Sequence, residues 1–377
     1  MKKNQAEEAV LTSEKMTDSF NRIIDYLRIS VTDRCNLRCV YCMPPNGVRP
    51  VPHSEILSFE EILRLAGIMA GLGIRKIKVT GGEPLTRRGT VDFIRRLKKT
   101  EGIEKVTITS NGVLLDACLE ELVEAGIDGI NISLDSLDRE TFTRVTRGGS
   151  GDFARLQNLL GRVKNLSARE SGRRVPRKQG CPPDGAAARR PVSIKINCVP
   201  LRGINEEGLV NLAAIAKDSN IAVRFIELMP LGCAAGLEFI PGREVAAILE
   251  KTFGELKPFF EKLGEGPAVY YSLEGFQGKI GFINPLSHNF CETCSRLRLG
   301  STGILIPCLA CEKGLDLRTR LRGGAGDEAL AQAIAELVSL KPARHAFGAK
   351  EDKNAAARGD CAAGAARENQ GMFKIGG

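Results

Sequence analysis

A chain of 377 residues with 43% hydrophobic and 26% charged content has the make-up of a globular enzyme, long enough for one large core or two modest ones. It holds no apolar run of membrane-spanning length, and residues 1–19 lack the continuous apolar stretch of a secretory signal; no membrane association and a cytoplasmic location are expected. The net charge of +9 argues little for nucleic acid, because seven basic and two acidic residues, a net of +5, fall within 169–190 among Gly, Pro and Ala, with no aromatic side chains to stack on bases.

Residues 1–19 offer no apolar face to bury and are expected to form a disordered arm. Six β-rich runs follow at 26–31, 76–80, 105–109, 129–133, 193–199 and 222–226, with helical patterns such as 59–72, 91–99 and 115–125 between them. Strands that alternate with helices predict a parallel sheet. Six such units instead of eight predict an α/β fold with an incomplete (β/α)6 TIM-like barrel over residues 20–230, open on one side. Within the runs Arg28, Ser30 and Thr32 share one face, as do Lys76, Lys78 and Thr80, then Thr107 and Thr109, then Asn131, Ser133 and Asp135, then Lys195 and Asn197. The opposite faces are apolar. A lumen packed only as a core would show branched aliphatics, so a polar face recurring in five strands predicts a substrate cavity.

Directly after the first run stands Cys35-Asn36-Leu37-Arg38-Cys39-Val40-Tyr41-Cys42, three thiols on one short loop. In a chain without an export signal, twelve cysteines point to metal or redox chemistry more than to disulfides. Thiolates suit zinc or an iron–sulfur cluster, and three of them leave a four-iron cube with one corner that the protein does not ligate. Spacing alone also admits a zinc site or unconnected core cysteines.

The connection between the fourth and fifth runs is the longest. Residues 168–190 carry Gly172, Pro176, Gly180, Pro182, Pro183 and Gly185, breakers that forbid a helix, and are expected to be a mobile insertion in which Cys181 is incidental. From 231 to 341 a smaller unit shows strand-like runs at 269–273, 279–283, 296–299 and 304–308, expected as an antiparallel sheet at the barrel mouth, and then helical patterns at 316–321 and 327–340. Residues 342–371, rich in Ala and Gly, read as a low-complexity linker before a tail at 372–377. His53, His288 and His345 fall on expected loops and are assigned no ligand role.

A second set of thiols, Cys291-x2-Cys294-x13-Cys308, lies in the smaller unit. With Cys311 counted, the spacing approaches the four-thiol zinc pattern, so a structural zinc stands beside a second cluster as a reading. Arg296 and Arg298, two apart on one strand, aim their guanidinium forks to the same side, where they can grip phosphate; a zinc ribbon needs no such pair.

Cys35-x3-Cys39-x2-Cys42 with an aromatic before its last Cys, followed by Gly81-Gly82-Glu83-Pro84 after the second run, resembles the radical S-adenosylmethionine superfamily. The likeness narrows with Leu27-Arg28-Ile29-Ser30-Val31-Thr32-Asp33, Thr109-Ser110-Asn111-Gly112, Asn131-Ile132-Ser133-Leu134-Asp135-Ser136, Arg224-Phe225-Ile226-Glu227-Leu228-Met229 and Asn289-Phe290-Cys291. In this order and spacing they resemble the GTP 3′,8-cyclase family, which begins molybdenum cofactor biosynthesis. The likeness runs from Arg22 to Leu321 and returns at Ile375-Gly376-Gly377.

The resemblance implies S-adenosylmethionine and two [4Fe–4S] clusters as cofactors, the first cluster on Cys35, Cys39 and Cys42 and the second on Cys291, Cys294 and Cys308. It implies Tyr41, Gly82, Ser133 and Met229 as S-adenosylmethionine contacts. For GTP it implies Arg28, Lys78, Thr109, Lys195 and the run Arg296, Leu297, Arg298. Gly376 and Gly377 are implied to enter the site and assist catalysis together with Arg28. The implied reaction passes a hydrogen atom from ribose C3′ of GTP to a 5′-deoxyadenosyl radical and joins C3′ to C8. Implied partners are an electron donor such as a flavodoxin or ferredoxin and a downstream cyclic pyranopterin monophosphate synthase, with a homodimer among the assemblies allowed. Two rival readings are another radical enzyme with an auxiliary cluster, for example one that modifies peptides, and a non-catalytic zinc- or iron-binding module. The first leaves Arg296, Arg298 and Lys195 without a reason, and the second leaves Gly81 to Pro84 without one.

Overall fold

Alternation of apolar and polar residues along each run puts one face of every strand under helices and the other toward a lumen. In a computed structural model, which describes residues 15–171, 191–234, 236–311, 313–345 and 347, these strands join one twelve-stranded sheet. Its centre is β1 (Tyr26–Ser30), β2 (Lys76–Thr80), β3 (Lys105–Ser110), β4 (Gly129–Ser133), β5 (Ser193–Cys198) and β6 (Ala222–Ile226), parallel and adjacent in chain order. Between them run α1 (Phe59–Gly71), α2 (Thr90–Leu97), α3 (Leu115–Glu124), α4 (Arg139–Thr146), α5 (Ser150–Ser171) and α6 (Leu209–Ala214). The core lies between strands and helices: Leu27, Ile77, Val106, Ile130, Ile196 and Phe225 are almost fully buried against Leu65, Ile94 and Leu122. Helix starts are written locally. Ser58 accepts from Glu61 N (3.1 Å) while Glu61 accepts from Ser58 N (2.6 Å), a reciprocal cap at the head of α1.

The C-terminal unit contains α7 (Gly242–Phe253), β7 (Lys257–Phe259), β8 (Val269–Ser272), β9 (Ile280–Ile283), β10 (Arg296–Leu299), β11 (Ile304–Ile306), β12 (Leu315–Asp316), α8 (Leu317–Arg322) and α9 (Asp327–Ser339). The expected antiparallel pairings form, β8 with β9 and β10 with β11, and β7 and β12 add antiparallel outside β8 and β11. They do not make a sheet of their own: β9 adds parallel to β6 and β10 adds parallel to β1, so the smaller unit extends both edges of the barrel sheet. An open sheet leaves two rows of unpaired N–H and C=O groups, and these strands satisfy them. The pairing also sets register, placing Arg298 beside Arg28 and Arg28 beside Lys78, with Arg296, Tyr26, Lys76 and Lys105 in the row two residues earlier.

Two stretches differ from expectation. Residues 15–19, read as part of a disordered arm, are packed: Met16 and Asp18 are buried, and Arg22 pairs with Asp18 at 2.6 Å while donating to Cys291 O (2.8 Å) and Pro342 O (2.6 Å). Helix α5 runs on to Ser171, into the stretch 168–190 where no helix was expected, and residues 172–190 lie outside the described residues. Among the described residues no helix is long and apolar enough to cross a membrane.

Candidate active site

After Ser30 the chain enters the loop that carries Cys35, Cys39 and Cys42, and the neighbouring motifs serve to hold that loop. Arg38 N donates to Thr146 O and Val40 N to Val145 O, both at 2.9 Å, at the end of α4, and Arg147 Nη1 donates to Arg38 O at 2.9 Å. From the end of β2, Gly82 N donates to Thr32 O (2.7 Å) and Glu83 N to Arg34 O (2.8 Å). The approach is so close that a Cβ on Gly82 would lie 2.3 Å from Arg34 O, so only glycine fits. Glu83 then ties in β3: its buried carboxylate accepts from Ser110 Oγ (3.0 Å), Leu85 N (3.1 Å) and Asn111 N (2.6 Å), and burial lifts its pKa to about 7 against these bonds. Asn111 Nδ2 lies 3.8 Å from Cys35 Sγ. Motifs far apart in sequence thus form one scaffold around a thiol loop.

The loop faces a cavity of about 340 Å3 whose lining includes both thiol sets, Cys35, Cys39 and Cys42 with Cys291, Cys294 and Cys308. Tyr41, Gly82, Ser133 and Met229 line it too, and so do Arg28, Lys78, Thr109, Arg296 and Arg298. Two residues named with these lie elsewhere. Leu297 is fully buried in the core, on the other face of β10 from its arginine neighbours, so its side chain makes no part of the lining. Lys195 lines a second cavity of about 50 Å3, toward the N-terminal ends of the strands, which shares Lys78 and Arg224 with the first. Gly376 and Gly377 are outside the described residues.

Residues 29–171 match the family described as Radical SAM superfamily, and residues 221–347 match Molybdenum Cofactor Synthesis C. A GTP 3′,8-cyclase of Pelotomaculum thermopropionicum is 42% identical over 335 residues, covering 88% of this chain and 95% of that protein. One of Moorella thermoacetica is 40% identical over 332 residues, with 88% and 95% covered. The chain belongs to the GTP 3′,8-cyclase family. Among solved structures it is similar in fold to SuiB of Streptococcus suis, with a TM-score of 0.53 at 14% identity over 85% of this chain and 67% of that one.

Charge in this family member's cavity is one-sided. Burial draws Arg28 down to about 10 and Lys78 well below its ordinary value, and neighbouring cations add to the effect on Lys78. Burial, then Arg224 and Lys105, bring Lys195 to about 7. The two carboxylates in the lining are already engaged. Asp135 accepts from Tyr41 Oη (2.6 Å) and Val199 N (2.8 Å), and Glu227 accepts from Leu286 N (3.1 Å), Ser287 N (3.0 Å) and the Ser287 hydroxyl. A lining in which several buried cations stand together, and in which both carboxylates are already engaged by other donors, favours a polyanionic ligand.

None of the six thiols is tied up in a disulfide, as ligation requires. Among the described residues no three His, Cys, Asp or Glu side chains meet at a single-ion position; a four-iron cube takes each thiolate at a separate iron and does not ask them to meet. The second set also carries thiolate character. Donation from Cys311 holds Cys308 at about 5, and Arg296 and Lys341 bring Cys294 to about 7 although burial opposes them. Cys311 itself is not in the lining.

Several lining residues escaped the sequence reading. Arg224 donates to Asn131 Oδ1 (2.6 Å) and Asn197 Oδ1 (2.9 Å), and the alternation counted in five strands would have found it in the sixth, opposite Asn197. Lys341 donates to Arg296 O (2.8 Å) and Pro307 O. His345, assigned no role, lines the cavity with Phe347; both fall in the tract read as a linker, where composition carries no positional signal.

Proposed function

We propose that this chain converts GTP to 3′,8-cyclo-7,8-dihydro-GTP by radical chemistry, the first step of molybdenum cofactor biosynthesis. The reading is carried by one observation: a single cavity joins two cysteine triads to the cluster of cationic side chains Arg28, Lys78, Arg224, Arg296 and Arg298. Cys35, Cys39 and Cys42 would hold one [4Fe–4S] cluster and Cys291, Cys294 and Cys308 another; when bound, the first supplies the electron that splits S-adenosylmethionine to a 5′-deoxyadenosyl radical.

The chain's own residues bind, orient and enclose. Tyr41, Gly82, Ser133 and Met229 are assigned to S-adenosylmethionine. Arg28, Lys78, Thr109, Arg296 and Arg298 are assigned to GTP, with Arg224 added on its place in the lining and Lys195 reaching the phosphates from the smaller cavity. The reaction removes a hydrogen atom from ribose C3′ and closes a bond from C3′ to C8, and one electron and one proton complete the 7,8-dihydro product. Fixing C3′ and C8 within bonding reach removes the entropic cost of finding that geometry, and the sheet and its covering loops keep solvent from quenching the radical. The reading calls for a low-potential donor of the flavodoxin or ferredoxin kind and for a synthase that consumes the product, in a reducing cytoplasm.

Anaerobic incubation of the cluster-loaded chain with GTP, S-adenosylmethionine and dithionite tests it. One hydrogen leaves and one proton with one electron is taken up, so the expected product has the mass of GTP, a different retention time and no aromatic imidazole absorption, and forms with 5′-deoxyadenosine. GTP recovered unchanged beside accumulating 5′-deoxyadenosine would sink the reading.

A further inference from the structure

The smaller cavity contains a carboxylate that the proposed reaction does not use. Its walls are Lys76, Lys78, Lys105, Lys195 and Arg224, closed by residues 263–266 of the loop between β7 and β8. Glu265 on that loop bridges two of the lysines, with Oε2 at 2.7 Å from Lys76 Nζ and Oε1 at 3.0 Å from Lys105 Nζ. Lys76 is also met by Asp25 at 2.9 Å. Gly264 passes so near Lys195 that a Cβ there would lie 2.4 Å from Nζ. The two residues after Glu265, Gly266 and Pro267, line the main cavity, so the loop stands where the two spaces adjoin. Asp128, the other acid in these walls, is engaged with Lys98 Nζ (2.6 Å) and Val106 N (2.7 Å).

Register relates the two spaces. Arg298, Arg28 and Lys78 stand side by side on neighbouring strands, and Lys76 and Lys105 stand side by side two residues earlier, roughly 7 Å further along the strands. An extended anion that follows the first row into the lumen next meets the two lysines that Glu265 holds. A carboxylate shared by two ammonium groups on a loop with Gly264 and Gly266 is placed as a stand-in for such an anion, and a phosphate, with more charge and more acceptor oxygens, can replace it.

We propose that Glu265 occupies the terminal-phosphate subsite of the empty enzyme, and that the third phosphate of the substrate displaces it and frees the loop at 263–266. The inference rests on the reading of the main cavity as a GTP site. A nucleoside monophosphate ends short of the second row and leaves Glu265 in place, so the contact makes the loop respond to the length of the phosphate chain.

Equilibrium binding of GTP and of GMP to the cluster-loaded chain, without S-adenosylmethionine so that nothing turns over, tests this on the native chain and on Glu265→Gln. Losing two competing ion pairs should tighten GTP binding on the order of tenfold and leave GMP binding unchanged. In the native chain GTP, but not GMP, should raise amide exchange across 260–268, a readout that needs no variant. Weaker or unchanged GTP binding by Glu265→Gln, an equal shift for both nucleotides, or slower exchange in that loop with GTP overturns the proposal while leaving the GTP site standing. A native chain that binds neither nucleotide removes the GTP reading itself and the inference with it.

Discussion

Replacing Cys35, Cys39 and Cys42 together with Ala is expected to leave a folded chain that no longer cleaves S-adenosylmethionine. The fold survives because the loop is pinned through its backbone and not through its thiols: Arg38 N and Val40 N hold it to α4, and Arg34 O and Thr32 O hold it to the turn at Gly82. The second triad is untouched, so iron should fall from about eight to about four per chain instead of to zero. Formation of 5′-deoxyadenosine under dithionite should drop to the background of the reagents alone. Cleavage that survives the triple replacement would remove the radical reading, whatever the iron content.

The second large effect separates two cysteines three residues apart. Cys308 lines the cavity, whereas Cys311 does not and instead donates to the Cys308 sulfur. Cys308→Ala is therefore expected to cost GTP turnover more than the roughly 10- to 100-fold that loss of a supporting group costs, with S-adenosylmethionine cleavage continuing uncoupled. Cys311→Ala removes a supporting hydrogen bond and should keep the second cluster and turnover within about tenfold. Cluster content by iron and by the visible spectrum reads the difference without reference to activity. Equal loss in the two variants would make the second site a four-thiol one, with no corner left unligated by the protein.

Much of this architecture was legible because it is local. The six central strands and the polar face on each of the first five are patterns of period two. The thiol loop was legible for the same reason. What the pattern could not show is where a strand goes once formed: nothing in 280–283 or 296–299 says that one pairs with β6 and the other with β1, since any open edge satisfies their backbone groups. Leu297 is a different case, because its neighbours' parity already sends it to the opposite face, and reading the three residues as one run hid that. Arg22, held by Asp18, donates to the carbonyls of Cys291, Pro342 and Ala343 and so joins the two ends of the described chain; the last two bonds span some 320 positions, a contact that no window of sequence can register.

The central claim is that a hydrogen atom leaves ribose C3′ of GTP inside this cavity, and GTP carrying deuterium only at C3′ tests it most directly. With the cluster-loaded chain, S-adenosylmethionine and dithionite under anaerobic conditions, the 5′-deoxyadenosine formed should gain one deuterium, in step with a product that has lost it. Unlabelled 5′-deoxyadenosine accompanied by normal product would contradict the account, because the hydrogen would then have come from somewhere other than C3′.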